Sequence, residues 1–226
     1  MNSISKVYKT KFKERLITEG FSLYRNTFYR ANSDVIQTIM LTNHDTDYTV
    51  HFYARPLYLG IWDLSIEGFQ IHDFREKNIF DSSNYWRNFN IFTGLKLSDE
   101  EINSSVDEML SIVVSHVLPI FARGADWKSS YDEMEKLRKK KYGKTPYSPR
   151  HDTYCMHIKA GEYEKAIVIA QHFITQNESW KERYTPELEH LLAGNTAYFE
   201  NLFAAKEAQA REYLTNPRKH KPKQGY

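Results

Sequence analysis

A single cysteine, Cys155, among 226 residues leaves no partner for an intramolecular disulfide and no material for a multi-cysteine metal site. Nowhere do eighteen apolar residues run together, so no membrane span is expected. The opening stretch MNSISKVYKTKFKERL lacks the unbroken apolar run a signal peptide needs, and a cytoplasmic protein is the expectation. Glycine is sparse and scattered. None of the nine falls in G-x-x-x-x-G-K or G-x-G-x-x-G, so neither standard phosphate cradle is present. G-x-S-x-G is missing too, and with it the nucleophile elbow.

The rest is ordinary soluble material, 41% hydrophobic and 27% charged, long enough to bury a sizeable core. Aromatics reach 15%, and sixteen of them are tyrosines, which suit half-buried sheet and interface positions. The net charge of +2 hides an asymmetry. KLRKKKYGKTPYSPR, from Lys136 to Arg150, and the tail TNPRKHKPKQGY together hold eleven Lys/Arg and no acid. Without them 20 basic residues face 29 acidic ones, a body of net −9.

Hydrophobic periodicity sets the fold class. Ile4, Val7, Tyr8, Phe12 and Leu16 recur at three- and four-residue steps, predicting a helix over Ile4–Glu19 that stops at Gly20. Strands are expected at Phe21–Arg25, Thr27–Ala31, Asp34–Thr42, Tyr48–Tyr58 and within IWDLSIEG, Ile61–Gly68. In YTVHFYA, Tyr48, Val50, Phe52 and Ala54 face one way, while Thr49, His51, Tyr53 and Arg55 face the other. That second face is expected to be solvated, and with Arg30 it forms a candidate binding face: Arg30, His51, Tyr53 and Arg55.

The stretch Asp73–Gly94 has no clean period, and its Trp86, Phe89 and Phe92 predict a loop packed down on the body. Ser98 with Glu101 forms a capping box, opening a helix expected to end near Pro119–Gly124. Another helix is expected at Asp126–Lys141. Beyond Arg150 only helices are read: His151–Ala160, Tyr163–Gln176, one starting at Thr185–Pro186, and a last one restarting near Gly194–Asn195. The expected organisation is therefore an α+β domain over 1–124, with a four- or five-stranded antiparallel sheet packed on helices. A helix and basic linker follow over 125–150, an all-α part over 151–214, and a basic disordered tail over 215–226.

Two resemblances attach to particular motifs. FKERLITEGFSLYRNTFYR, SDVIQTIMLT, YTVHFYA and LSDEEINSSVDEMLSIVVSHVLPIFA, spanning residues 12–121, resemble the bacterial family of domain of unknown function 4304. In YTVH, His51 stands where that family tends to carry Asn. The resemblance implies an α+β sheet fold and brings no assigned activity. YCMHIKAGEYEKAIVIAQ, Tyr154–Gln171, is similar to half of a tetratricopeptide-type helix pair, with Gly161 between the helices.

Candidate chemistry is thin. His151, Asp152, Cys155 and His157 cluster in HDTYCMH, but on a helix His157 points away from His151 and Cys155, so no metal site is expected. Cys155 and His151 satisfy a nucleophile–base spacing without a third orienting group. No cofactor and no catalytic set are expected. The leading expectation is a non-enzymatic protein that binds another protein. One alternative is nucleic-acid binding through the basic segment 136–150, with Lys139, Lys140 and Lys141 as its candidate residues, and the tail. A second is an enzyme with its site beneath the Asp73–Gly94 loop.

Overall fold

In the computed structural model, which describes residues 3–44, 47–61, 69–70, 98–142 and 150–218, the first apolar stripe forms α1 (Ser3–Leu16). Ile4, Tyr8, Phe12 and Leu16 are buried along it. A 3₁₀ turn, Ile17–Glu19, tightens its end, and Gly20 takes φ +81° so that Phe21 can return its N–H to the Leu16 carbonyl at 3.0 Å. Only glycine occupies that left-handed position without penalty.

Five antiparallel strands follow in chain order: β1 (Ser22–Tyr24), β2 (Thr27–Ala31), β3 (Val35–His44), β4 (Asp47–Pro56) and β5 (Phe69–Gln70). The fold is α+β, as expected. β4 stops at Pro56, two residues before the expected end, and Leu57–Leu59 turns into a 3₁₀ helix. Proline lacks the N–H that would continue the ladder. The fifth strand expected over Ile61–Gly68 lies, Ile61 apart, outside the described residues, as does the Asp73–Gly94 stretch.

α2 runs from Asp99 to Arg123. Ser98 and Glu101 close the capping box at its start, with Ser98 Oγ accepting from the Glu101 N–H at 3.2 Å. Val113–Val117 forms a π turn inside it, with the Leu118 N–H reaching back to the Val113 carbonyl. Pro119 follows at once. A proline inside a helix removes one backbone donor and crowds the carbonyl four residues earlier, and a widened turn relieves that crowding. α2 is long and apolar enough to cross a membrane by length and composition alone; here Ile102, Val106, Met109, Val113 and Val117 join the protein core. α3 (Trp127–Tyr142) is capped by Asp126, whose carboxylate accepts from the N–H groups of Lys128 and Ser129, each at 2.9 Å.

One face of the sheet, carrying Phe28, Val35, Ile39, Leu41, Val50, Phe52 and Ala54, packs with α1 and α2 around the rings of Tyr8, Phe12, Phe21 and Phe121. Gln37 lies wholly buried among them. It accepts from Arg30 Nε at 2.7 Å and donates from Nε2 to the Phe121 carbonyl at 2.9 Å.

The other face differs from expectation. Thr38, Met40, Thr49 and His51 are buried there as well, so the centre of the sheet is covered on both sides. Strand alternation assigns partners to a face, but it leaves open whether that face meets water.

Beyond residue 150 the chain is helical: α4 (His151–Lys159), α5 (Tyr163–Ile174), α6 (Glu178–Leu192) and α7 (Thr196–Thr215). The helix expected to begin at Thr185–Pro186 starts earlier. Asn177 accepts from the Trp180 N–H at 2.9 Å and sets its first turn, leaving Pro186 in the interior. Side-chain capping outranks the preference of proline for a first turn. The chain divides into two units: α1, the sheet, α2 and α3 as far as Lys141 in one, and α4–α7 with Leu57–Ile61 in the other.

Candidate functional site

The helical unit is built on a repeat. Gly161 ends α4 at φ +73° and Gly194 ends α6 at φ +65°. In each turn the following residue donates back to a histidine carbonyl, Glu162 to His157 at 2.8 Å and Asn195 to His190 at 2.9 Å. The same pairs bond again through side chains: His157 Nδ1 to Glu162 Oε2 at 2.6 Å, and His190 Nδ1 to Asn195 Nδ2 at 3.2 Å. The repeat length is about 33 residues, close to the ~34 of tetratricopeptide helix pairs. Two αα-hairpins, α4–α5 and α6–α7, therefore follow one plan.

Aromatic rings hold the hairpins together. Tyr184 of α6 meets Phe173 of α5 at 4.6 Å between ring centres and Tyr154 of α4 at 5.3 Å, edge to face. Trp180 stands edge-on to Phe173 at 4.9 Å. Ala166 and Ala170 are fully buried and permit close helix approach.

At the α4–α6 seam a polar cluster surrounds His151. Tyr184 Oη lies 2.8 Å from its Nδ1, Arg183 Nη2 3.1 Å from its Nε2, and Cys155 Sγ 3.4 Å from that same Nε2. A guanidinium only donates, so Nε2 is the acceptor and Nδ1 carries the proton, which it gives to the tyrosine oxygen. This third group on His151 was not legible in the sequence, because Tyr184 arrives from another helix. The arrangement still lacks the exposure a nucleophile needs: Cys155 is 2% exposed. Burial pushes the Tyr154 phenol far up, and the charge of the buried Glu187 adds to that; burial also raises Tyr184, with Arg183 opposing. Both hydroxyls stay protonated. The cluster orients helices, and among the described residues no group of three or more His, Cys, Asp or Glu could hold a metal.

The residues expected to form a binding face do not lie together. The register pairs Arg30 with Gln37 and Gln37 with Ala54, which puts Arg30 on the α1 side of the sheet. There its Nη1 donates to the Glu19 carbonyl at 2.6 Å and its guanidinium lies 4.6 Å from the Phe21 ring centre. His51, Tyr53 and Arg55 share the opposite face; His51 is buried and the other two half-buried. Tyr53 Oη accepts from Arg138 of α3 at 3.4 Å. Lys139 and Lys140 are exposed on α3; the Lys141 side chain lies outside the described residues, as does Lys144.

Two surface features escaped sequence reasoning. α1 turns Lys6 and Lys13 outward with Lys9 half-exposed between them, a stripe hidden in the overall charge count. Among the described residues, large apolar side chains stand exposed at Ile17, Val168, Trp180 and Leu192. Three of these four are on α5 and α6. Comparison with protein-family models, curated proteins and solved structures finds no significant match to this chain.

Proposed function

We propose that this chain is a non-enzymatic, macromolecule-binding protein whose partner is another protein, engaged through the helical unit. The observation that carries the reading is that three of the four large apolar side chains exposed among the described residues belong to α5 and α6, with Val168 and Leu192 each 64% exposed and Trp180 37%. Apolar surface left in water costs about 25 cal/mol per Å² that association would recover. The tandem hairpins supply a rigid support for such a surface, as helical repeats do generally. The reading keeps residues 12–121 with the family of domain of unknown function 4304, which they resemble and which brings no activity of its own.

Affinity capture with the full chain and with a V168S/W180A/L192S variant tests it. A partner set held by the parent and lost by the folded variant is expected. Absence of any partner, together with turnover of a small metabolite, would overturn the reading. Nucleic-acid binding is the second reading, favoured by the exposed lysines of α1 and by Lys139 and Lys140. It requires affinity that falls steeply with salt and drops in K139E/K140E.

A further inference from the structure

Leu57–Ile61 follows β4 in sequence but belongs to the helical unit. Leu57, Tyr58, Leu59 and Ile61 are 0%, 2%, 3% and 8% exposed. The segment forms one 3₁₀ turn, with the Gly60 N–H donating to the Leu57 carbonyl at 2.8 Å and Gly60 at φ +76°. The ring of Tyr58 lies 5.1 Å from that of Phe203 on α7, and Lys159 Nζ, at the end of α4, lies 5.7 Å from its centre. Gly60 rests beside the methylenes of Lys206. A short turn from a distant part of the chain thus sits between the first and last helices of a repeat array.

We infer that Leu57–Ile61 is a ligand held in cis, and that the cleft it fills receives partner proteins bearing a turn of the same chemistry: aliphatic, aromatic, aliphatic, then glycine. This deepens the protein-binding reading above and rests on it. Each feature of the occupant answers a feature of the cleft. An aromatic ring is needed where both a lysine ammonium and the Phe203 ring come within reach of it. Aliphatic side chains are needed at the two flanking buried positions. Glycine is needed because the turn closes in the left-handed region. A tethered segment is present at an effective concentration on the order of millimolar, so it masks the cleft against weak competitors and admits strong ones.

The test uses the full-length chain and a fluorescein-labelled peptide of sequence RPLYLGI, followed by anisotropy. An L57S/Y58S/L59S variant empties the cleft and is expected to bind the peptide at least ten-fold more tightly than the parent. Adding F203A should abolish that gain, and the peptide RPLALGI should not bind. Two outcomes would overturn the inference. One is a triple variant that keeps its helical circular dichroism yet binds no more tightly than the parent. The other is a triple variant that loses that helicity, which would make the segment an inseparable part of the core. If either occurs while the Val168/Trp180/Leu192 capture experiment succeeds, only the cis-ligand inference falls, and the broader reading stands.

Discussion

His151, the first residue of α4, and Tyr184, one repeat length further on in the middle of α6, are hydrogen-bonded to each other at 2.8 Å. The repeat is thus joined to itself by its own equivalent residues, one supplying an imidazole and the other a phenol. Replacing Tyr184 by Phe keeps the ring contacts with Phe173 and Tyr154 and removes only the oxygen. Urea denaturation should show a loss of about 1 kcal/mol, the net worth of one such bond. A Tyr184→Ala variant should lose several times more, because the aromatic packing goes with it.

Gln37 gives a sharper effect in the sheet unit. Gln37→Leu leaves the buried Phe121 carbonyl and the half-buried Arg30 Nε without their partner. Each orphaned group costs about 1–3 kcal/mol, so the midpoint of unfolding should move markedly. Gln37→Glu restores the acceptor for Arg30 alone, and its penalty should fall between the two.

Helix starts give a pair of matched tests. Ser98→Ala and Asp126→Ala should each cost about 1 kcal/mol by chemical denaturation. They should part company in acid. Hydrogen bonds from Ser129 hold the Asp126 carboxyl below its ordinary range. A carboxyl depressed in the folded state stabilises above its unfolded pKa and ceases to do so as pH falls through the folded value. The D126A penalty should therefore shrink below about pH 4.

Glu162 reports on the hairpin turn. Its carboxyl is held below the ordinary glutamate range, first by its hydrogen bond to His157 and then by Lys165. Carboxyl-carbon NMR should find its midpoint low, and His157→Ala should move it upward toward the free value. An unchanged midpoint in that variant would assign the effect to Lys165 instead.

Local chemistry was the legible part of this fold. The Gly20 stop, the Ser98 capping box and the β1–β2 hairpin each depend on residues within a few positions of one another, and each stands where the spacing put it. Arg30 was misplaced because alternation within a strand says nothing about parity between strands; only the register, Arg30 opposite Gln37, sets that. His51 was expected to be wet for a related reason, since a strand covered on both sides alternates just as one covered on a single side does. The His151 cluster and the seating of Tyr58 against Phe203 join residues far apart in the chain. Spacing rules carry no information at that range.

The order of synthesis gives the Tyr58 contact a temporal side. Each pairing within the β-meander joins neighbours in the chain, so the sheet can assemble hairpin by hairpin as it leaves the ribosome. Tyr58 emerges with it, but Phe203 lies ~145 residues downstream, about 7–30 seconds later at the usual elongation rates of roughly 5–20 residues per second. For that interval Leu57, Tyr58 and Leu59 are an unshielded greasy triplet on a nascent chain. Docking of the last helix is then the event that ends the exposure to chaperones and to aggregation.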